Sequence, residues 1–161
     1  MTISLPASAG AYWLVLRLPE PSMLHVGRFG TVAFPAGWYV YTGSARGPGG
    51  IHARLGRHLR GSPRPRWHID ALRAVAQPAL WGWTTSPSPD LPWECRWAQA
   101  LATQAAARIP LPGFGASDCR SGCPAHLVGF LTLATLCSAL TAATRGTMET
   151  DFNPTLLERP C

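Results

Sequence analysis

The side chains most able to do chemistry fall in three places along the 161 residues. Between Arg46 and Arg66 the chain carries six arginines, Arg46, Arg54, Arg57, Arg60, Arg64 and Arg66, and no acid. Such a stripe suits a phosphate backbone, because each phosphate neutralised releases a condensed counterion and makes affinity fall with salt. A lone carboxylate, Glu94, lies among Trp93 and Trp97, where burial without a partner is expensive. Cys119, Cys123 and His126 follow one another at short spacing, and Cys95 would complete four soft donors of the kind Zn²⁺ takes. Cys95 is adjacent to Glu94, about 100° away on a helix, so the two cannot face one ion. Reduced, partly buried thiols are the expected state, with structural Zn²⁺ at Cys119, Cys123 and His126 as the alternative.

The elements that must position these groups are legible from pattern. Residues 38–42, WYVYT, are aromatic or β-branched and bounded by Pro35, Gly37 and Gly43, which predicts a strand. Alternation puts Tyr39 and Tyr41 on one of its faces, Trp38 and Val40 on the other. After the turn Gly47-Pro48-Gly49-Gly50, the apolar residues Ile51, Leu55 and Leu59 recur at helical spacing and stop at Gly61. On that helix Arg54 and His58 border the apolar stripe, while Arg57 and Arg60 point to solvent. A charged group at a buried border must be paired or must serve a ligand.

Residues 11–18, AYWLVLRL, read as a central strand covered on both faces. Residues 23–34 read as a hairpin, so the first 45 residues look like an antiparallel meander. Residues 67–76 open a second short helix with His68 and Asp70 at its start, where an acid meets the positive end of the dipole. His68 there either packs and caps or contacts phosphate. Residues 80–85 suggest another strand, and 93–108 a helix with Trp93, Trp97, Leu101 and Ala105 in one stripe. Residues 128–143 suggest a strand and a buried helix, too short for a bilayer span. Residues 1–9 look loose, and from 144 on the chain looks irregular.

Composition sets the frame. The length suits one domain with its own core. Five cysteines, unevenly spaced, do not make a disulfide scaffold, and no basic-plus-apolar signal segment opens the chain, so the expectation is a reducing, cytoplasmic protein away from membranes. The formal charge of +6 is lopsided: residues 1–75 carry nine arginines against Glu20 and Asp70, and residues 76–161 carry five against six acids. The partner this favours is nucleic acid.

Tyr41-Thr42-Gly43-Ser44-Ala45 followed by Arg54-Leu55-Gly56-Arg57-His58 resembles the second half of the GIY-YIG nuclease signature, a strand end and then a helix carrying Arg-x3-His. Gly10-Ala11-Tyr12 would be the first half, with Ala where the signature has Ile and a longer interval before Tyr41. With WHID, Glu94-Cys95 and GFGASDC in that order, the chain is most similar to the small stand-alone Uri-type branch of the superfamily. The likeness runs over residues 10–130, between the tail at 1–9 and an apolar helix with an irregular tail at 131–161.

The resemblance implies an α+β fold, a small central antiparallel or mixed β-sheet flanked by helices. It further implies metal-dependent hydrolysis of phosphodiester bonds, in DNA ahead of RNA. Glu94 would hold one Mg²⁺ or Mn²⁺, Arg54 would bind the scissile phosphate, and Tyr12, Tyr41 and His58 would handle water and protons. Arg46, Arg57, Arg60, Arg64, Arg66 and His68 would contact the nucleic acid. A non-catalytic nucleic-acid-binding module on the same fold and a zinc-stabilised interaction domain are the alternatives.

Overall fold

Strand β1 (Gly10–Leu18) is the centre of the molecule, with only Arg17 exposed along its length. The computed structural model describes residues 4–88, 90–145, 149–152 and 161. Along its whole length β1 pairs antiparallel with β4 (Gly37–Ala45), from Gly10 opposite Ala45 to Leu18 opposite Gly37. Its other edge pairs antiparallel with β5 (Gln77–Thr84), with an irregularity between Val15 and Leu16. Strands β6 (Leu127–Phe130) and β7 (Glu149–Phe152) complete a five-stranded sheet of order β6-β4-β1-β5-β7.

The hairpin expected at 23–34 forms as β2 (Ser22–His25) and β3 (Thr31–Phe34). It is a separate two-stranded sheet, so the predicted meander is corrected: β1 turns back onto β4, and the hairpin is an excursion between them. A hairpin pattern is local, whereas the choice of sheet neighbour depends on which strands share a buried face.

Period-two alternation sends two sets of side chains to opposite faces. Tyr12, Leu14, Leu16, Tyr39 and Tyr41 pack beneath Ile51 and Leu55 of α1 (Gly50–Arg60) and Ile69 and Leu72 of α2 (His68–Arg73). Trp13, Val15 and Val40 pack against Trp97 and Leu101 of α3 (Trp93–Ala102) and Leu136, Ala139 and Leu140 of α4 (Leu133–Ala143). This is an α+β fold with a central antiparallel sheet covered by helices, as the sequence suggests.

Three segments differ from expectation. Helix α3 ends at Ala102 because the backbone of Arg108 bonds to Gly129 in both directions (2.9 and 2.8 Å), drawing the chain out to the sheet and leaving Ala105 exposed. Residues 4–9, read as loose, are tied down: Ser8 and Pro6 carbonyls accept the Ile51 and His52 N–H groups at the start of α1 (3.0 and 2.8 Å), and Leu5 packs on the core. These are two of the four donors a helix N-terminus leaves unpaired. Beyond residue 144, Glu149–Phe152 pairs with β5 as an outer strand. The rest of the expected tails, residues 1–3, 146–148 and 153–160, lies outside the described residues. No helix among the described residues is long and apolar enough to cross a membrane.

Candidate active site and metal centre

Helices α1 and α3 lie on opposite faces of the sheet, yet the N-terminal end of α3 reaches the strand ends where α1 begins. A cleft of about 440 Å³ opens there, lined by Tyr12, Tyr41, Arg54 and Glu94 among others. Four of the five expected catalytic residues thus meet in one space, brought by β1, β4, α1 and α3. The fifth, His58, is buried immediately behind, with its Nε2 3.0 Å from the Tyr12 hydroxyl. The tyrosine rings lie 6.4 Å apart, and the His58 ring packs edge-on against Tyr41.

Glycine at position 43 follows from this packing. A Cβ there would come within 2.5 Å of the Tyr12 hydroxyl oxygen, so the fully buried Tyr12 ring would have to shift. Gly43→Ala is therefore expected to lower stability by about 1–3 kcal/mol. It should also separate Tyr12 from His58, which chemical unfolding together with the imidazole NMR signals would show.

Glu94 is buried, and its carboxylate takes one N–H from Arg46 at 3.1 Å. That arginine side chain is 69% exposed, so the pair is loosely anchored on its cationic side. Among the described residues Arg54 forms no ion pair; its guanidinium lies 4.3 Å from the centre of the Trp67 ring, which also lines the cleft.

Two expected nucleic-acid contacts are used internally. Arg57, placed on the solvated face by its helical angle, forks onto both oxygens of Asp70 (2.9 and 3.1 Å) and also donates to the Arg64 carbonyl (3.0 Å). His68 accepts the Gly115 N–H at Nδ1 (2.9 Å) and packs edge-on against Phe29 and Phe114. Burial, reinforced by Arg28, lowers the His68 pKa from its ordinary value, which suits that accepting role. Arg46, Arg60, Arg64 and Arg66 are exposed, and of these Arg46 lines the cleft.

Electrostatics set the resting protonation of the buried trio. Burial, with Tyr41 adding to it, raises the Tyr12 pKa well above the usual phenol value, and burial pushes Tyr41 up to about 12. Burial holds the His58 pKa down at about 4 against the attraction of Asp70, and Arg57, Arg54 and Arg73 reinforce the shift. At neutral pH the site therefore holds two phenols and a neutral imidazole, an arrangement that can relay a proton from hydroxyl to ring nitrogen.

The same shift carries a stability prediction. Unfolded His58 takes up a proton that the folded ring refuses, so stability is full above about pH 6.5 and falls as the pH drops towards 4. The loss is about 3 kcal/mol over that window. Asp70, whose folded pKa is lowered, loses its contribution only below the ordinary carboxylate range. Urea unfolding of wild type and His58→Gln should show the slope in the former and a flatter profile in the latter; parallel profiles would refute it.

Beside Glu94, the expected soft donors come together. Cys95, Cys119, Cys123 and His126 present ligand atoms all within 4.8 Å of one another, a cluster that can hold a metal ion. Cys95 Sγ is 3.8 Å from Cys119 Sγ and 3.9 Å from His126 Nε2. The expectation set Cys95 in reserve; the structure places it with the other three as the fourth donor. Burial tends to raise the Cys119 pKa, but N–H groups of Cys123 and Ser121 and the His126 ring bring it to about 6. Cys95, Cys119 and Cys123 are in no disulfide, whereas Cys137 is disulfide-bonded to Cys161.

Sequence reasoning missed Asp70's part and the presence of Trp67 and Arg120 in the cleft wall. Asp70 was visible only as an acid at a helix start; its two partners on α1 are remote in sequence.

Fold and site together define a small α+β domain with a polar cleft at one end of an antiparallel sheet and a Cys₃His cluster in the cleft wall. The chain belongs to the family described as Domain of unknown function DUF123, whose model matches residues 11–149. No curated protein matches the chain, and no solved structure does.

Proposed function

We propose that the chain is a metal-dependent endonuclease acting on DNA, in the manner of the GIY-YIG nucleases its motifs resemble. The convergence of Tyr12, Tyr41, Arg54 and Glu94 on one cleft, with Arg46 in its wall and Arg60, Arg64 and Arg66 exposed at the end of α1 and in the loop after it, supports this reading.

Glu94 suits one Mg²⁺ or Mn²⁺. A single carboxylate in a roomy polar cleft leaves most positions of a hard cation to water and substrate oxygens, and Arg46 is exposed enough to move aside. A divalent ion held there supplies neutralisation of the non-bridging phosphate oxygens and of the leaving oxygen.

The chain's own groups do the rest. Arg54 offers a planar fork to the scissile phosphate, pre-positioned by its stacking on Trp67. The Tyr12 oxygen takes a proton from the attacking water as its own passes to His58 Nε2, 3.0 Å away. The imidazolium so formed faces Asp70 Oδ1, 3.9 Å from Nδ1, whose negative charge offsets the cost of a buried cation. Tyr41 borders the same space and orients the water. The Cys₃His cluster is the donor set of Zn²⁺, and a hard ion at Glu94 and a soft-ligand ion at the cluster would not compete.

The test is a cleavage assay on single-stranded, duplex and branched DNA, with RNA as a further arm, in Mg²⁺ or Mn²⁺, read beside Arg54→Ala. Wild type should nick at least one substrate, dependent on the divalent ion, and Arg54→Ala should lose about 10²–10³-fold. Salt-sensitive binding without cleavage by the wild type would favour the non-catalytic binding module instead.

A further inference from the structure

We infer that Cys95, Cys119, Cys123 and His126 hold a zinc ion whose task is to build the cleft: it clamps the 113–126 segment onto α3 and β4, and so places one wall of the site. The role in cleavage rests on the nuclease reading above; zinc binding and the clamp do not.

Donor geometry is the first support. Zinc bound at about 2.3 Å to thiolates in a tetrahedron separates its sulfurs by about 3.8 Å. Cys95 and Cys119 sulfurs are 3.8 Å apart, and His126 Nε2 is 3.9 Å from Cys95 Sγ. The outer contacts are those of a metal site. His126 Nδ1 lies 3.2 Å from the Thr42 carbonyl oxygen, which takes that N–H and leaves the Nε2 lone pair aimed into the cluster. Gln99 Nε2 sits 3.6 Å from Cys123 Sγ and donates to the Ser121 carbonyl at 2.9 Å, a donor where a bound thiolate would carry charge.

Four protein donors leave no open coordination position, which marks a structural rather than a hydrolytic ion. What it would hold is specific. Cys95 is the next residue after Glu94 on α3, and Thr42, which exchanges backbone and ring bonds with His126, follows Tyr41 on β4. Asp118 and Arg120, exposed and lining the cleft, flank the ligand Cys119 on either side. One ion therefore links the carboxylate's helix, a tyrosine's strand and the loop that closes the cleft.

The test uses the full chain. Elemental analysis should find one zinc per chain in wild type and in Glu94→Gln, and none in Cys123→Ser. Cobalt substitution should give thiolate-to-metal absorption bands in wild type. On chelation the amides of Thr42 and His126 should lose on the order of tenfold or more of their hydrogen-exchange protection and regain it when zinc is returned, while those of β1 stay protected. Reversal by zinc in unaltered wild-type chain keeps the result readable if Cys123→Ser misfolds. A wild type that takes up no zinc, protection unchanged by chelation, or loss across β1 as well would each overturn the clamp. Zinc-dependent protection in a chain that cleaves nothing would sustain the clamp and sink the nuclease reading alone.

Discussion

Glu94→Gln is expected to abolish divalent-ion binding at the cleft and to lower cleavage by at least about 10³-fold, equivalent to about 4 kcal/mol of lost transition-state stabilisation. The fold should barely notice. Among the described residues the carboxylate has a single ionic partner, Arg46, whose side chain is 69% exposed, so removing the charge strands nothing in the interior and costs below about 1 kcal/mol. Arg46→Ala separates the two roles that arginine can have. If it only neutralises the carboxylate, its loss strengthens ion binding; if it also meets phosphate, the salt dependence of nucleic-acid binding becomes shallower. Manganese titration, single-turnover cleavage and nucleic-acid binding at several salt concentrations, on the same preparations, read the three quantities. Cleavage by Glu94→Gln at the wild-type rate would remove Glu94 from the chemistry.

What could be read in the sequence is what local physics determines. The strand through Trp38 to Thr42 and the helix from Gly50 follow from residue type, period and a glycine turn, and Tyr12, Tyr41, Arg54 and Glu94 lie on such elements. Two misreadings, and one pairing that the sequence held only in reserve, share one cause. Arg57 sits on the outer side of an isolated α1, but α2 folds back across it carrying Asp70. The hairpin at 22–34 is evident as a hairpin, yet nothing local says that β1 bypasses it to reach β4. Cys95 stands 24 residues from Cys119, and only the return of the 113–126 segment onto α3 makes them neighbours. Arg108 is a fourth instance of the same limit, since its bridge to Gly129 ends a helix that the apolar period alone would extend. Pairing between remote segments is set by the shared core, which a window of sequence does not contain.

Such remote pairing concentrates at Asp70, and its replacement should be the most damaging to the fold. Asp70 is buried and accepts four bonds: the two arms of Arg57 (2.9 and 3.1 Å) and the N–H groups of Arg66 and Trp67 (2.7 and 3.0 Å). Asp70→Ala leaves the Arg57 guanidinium, whose side chain is only 20% exposed, without its counter-charge and uncaps the start of α2. The expected cost is about 4 kcal/mol, as for breaking a buried pair by removing one partner. In a chain of this size that lowers the melting temperature by about 8–16 °C. Asp70→Asn keeps an acceptor for the backbone N–H groups but not the charge, so the difference between the two variants divides cap from ion pair. The same loss reaches the cleft, because the Asp70 charge is what opposes the depression of the His58 pKa. Without it His58 is a still weaker base for the Tyr12 proton, and in Asp70→Asn cleavage should fall more steeply than stability does. Thermal unfolding and cleavage of both variants, measured below their melting points, decide this: an activity that merely follows the folded fraction would leave Asp70 a structural residue and nothing more.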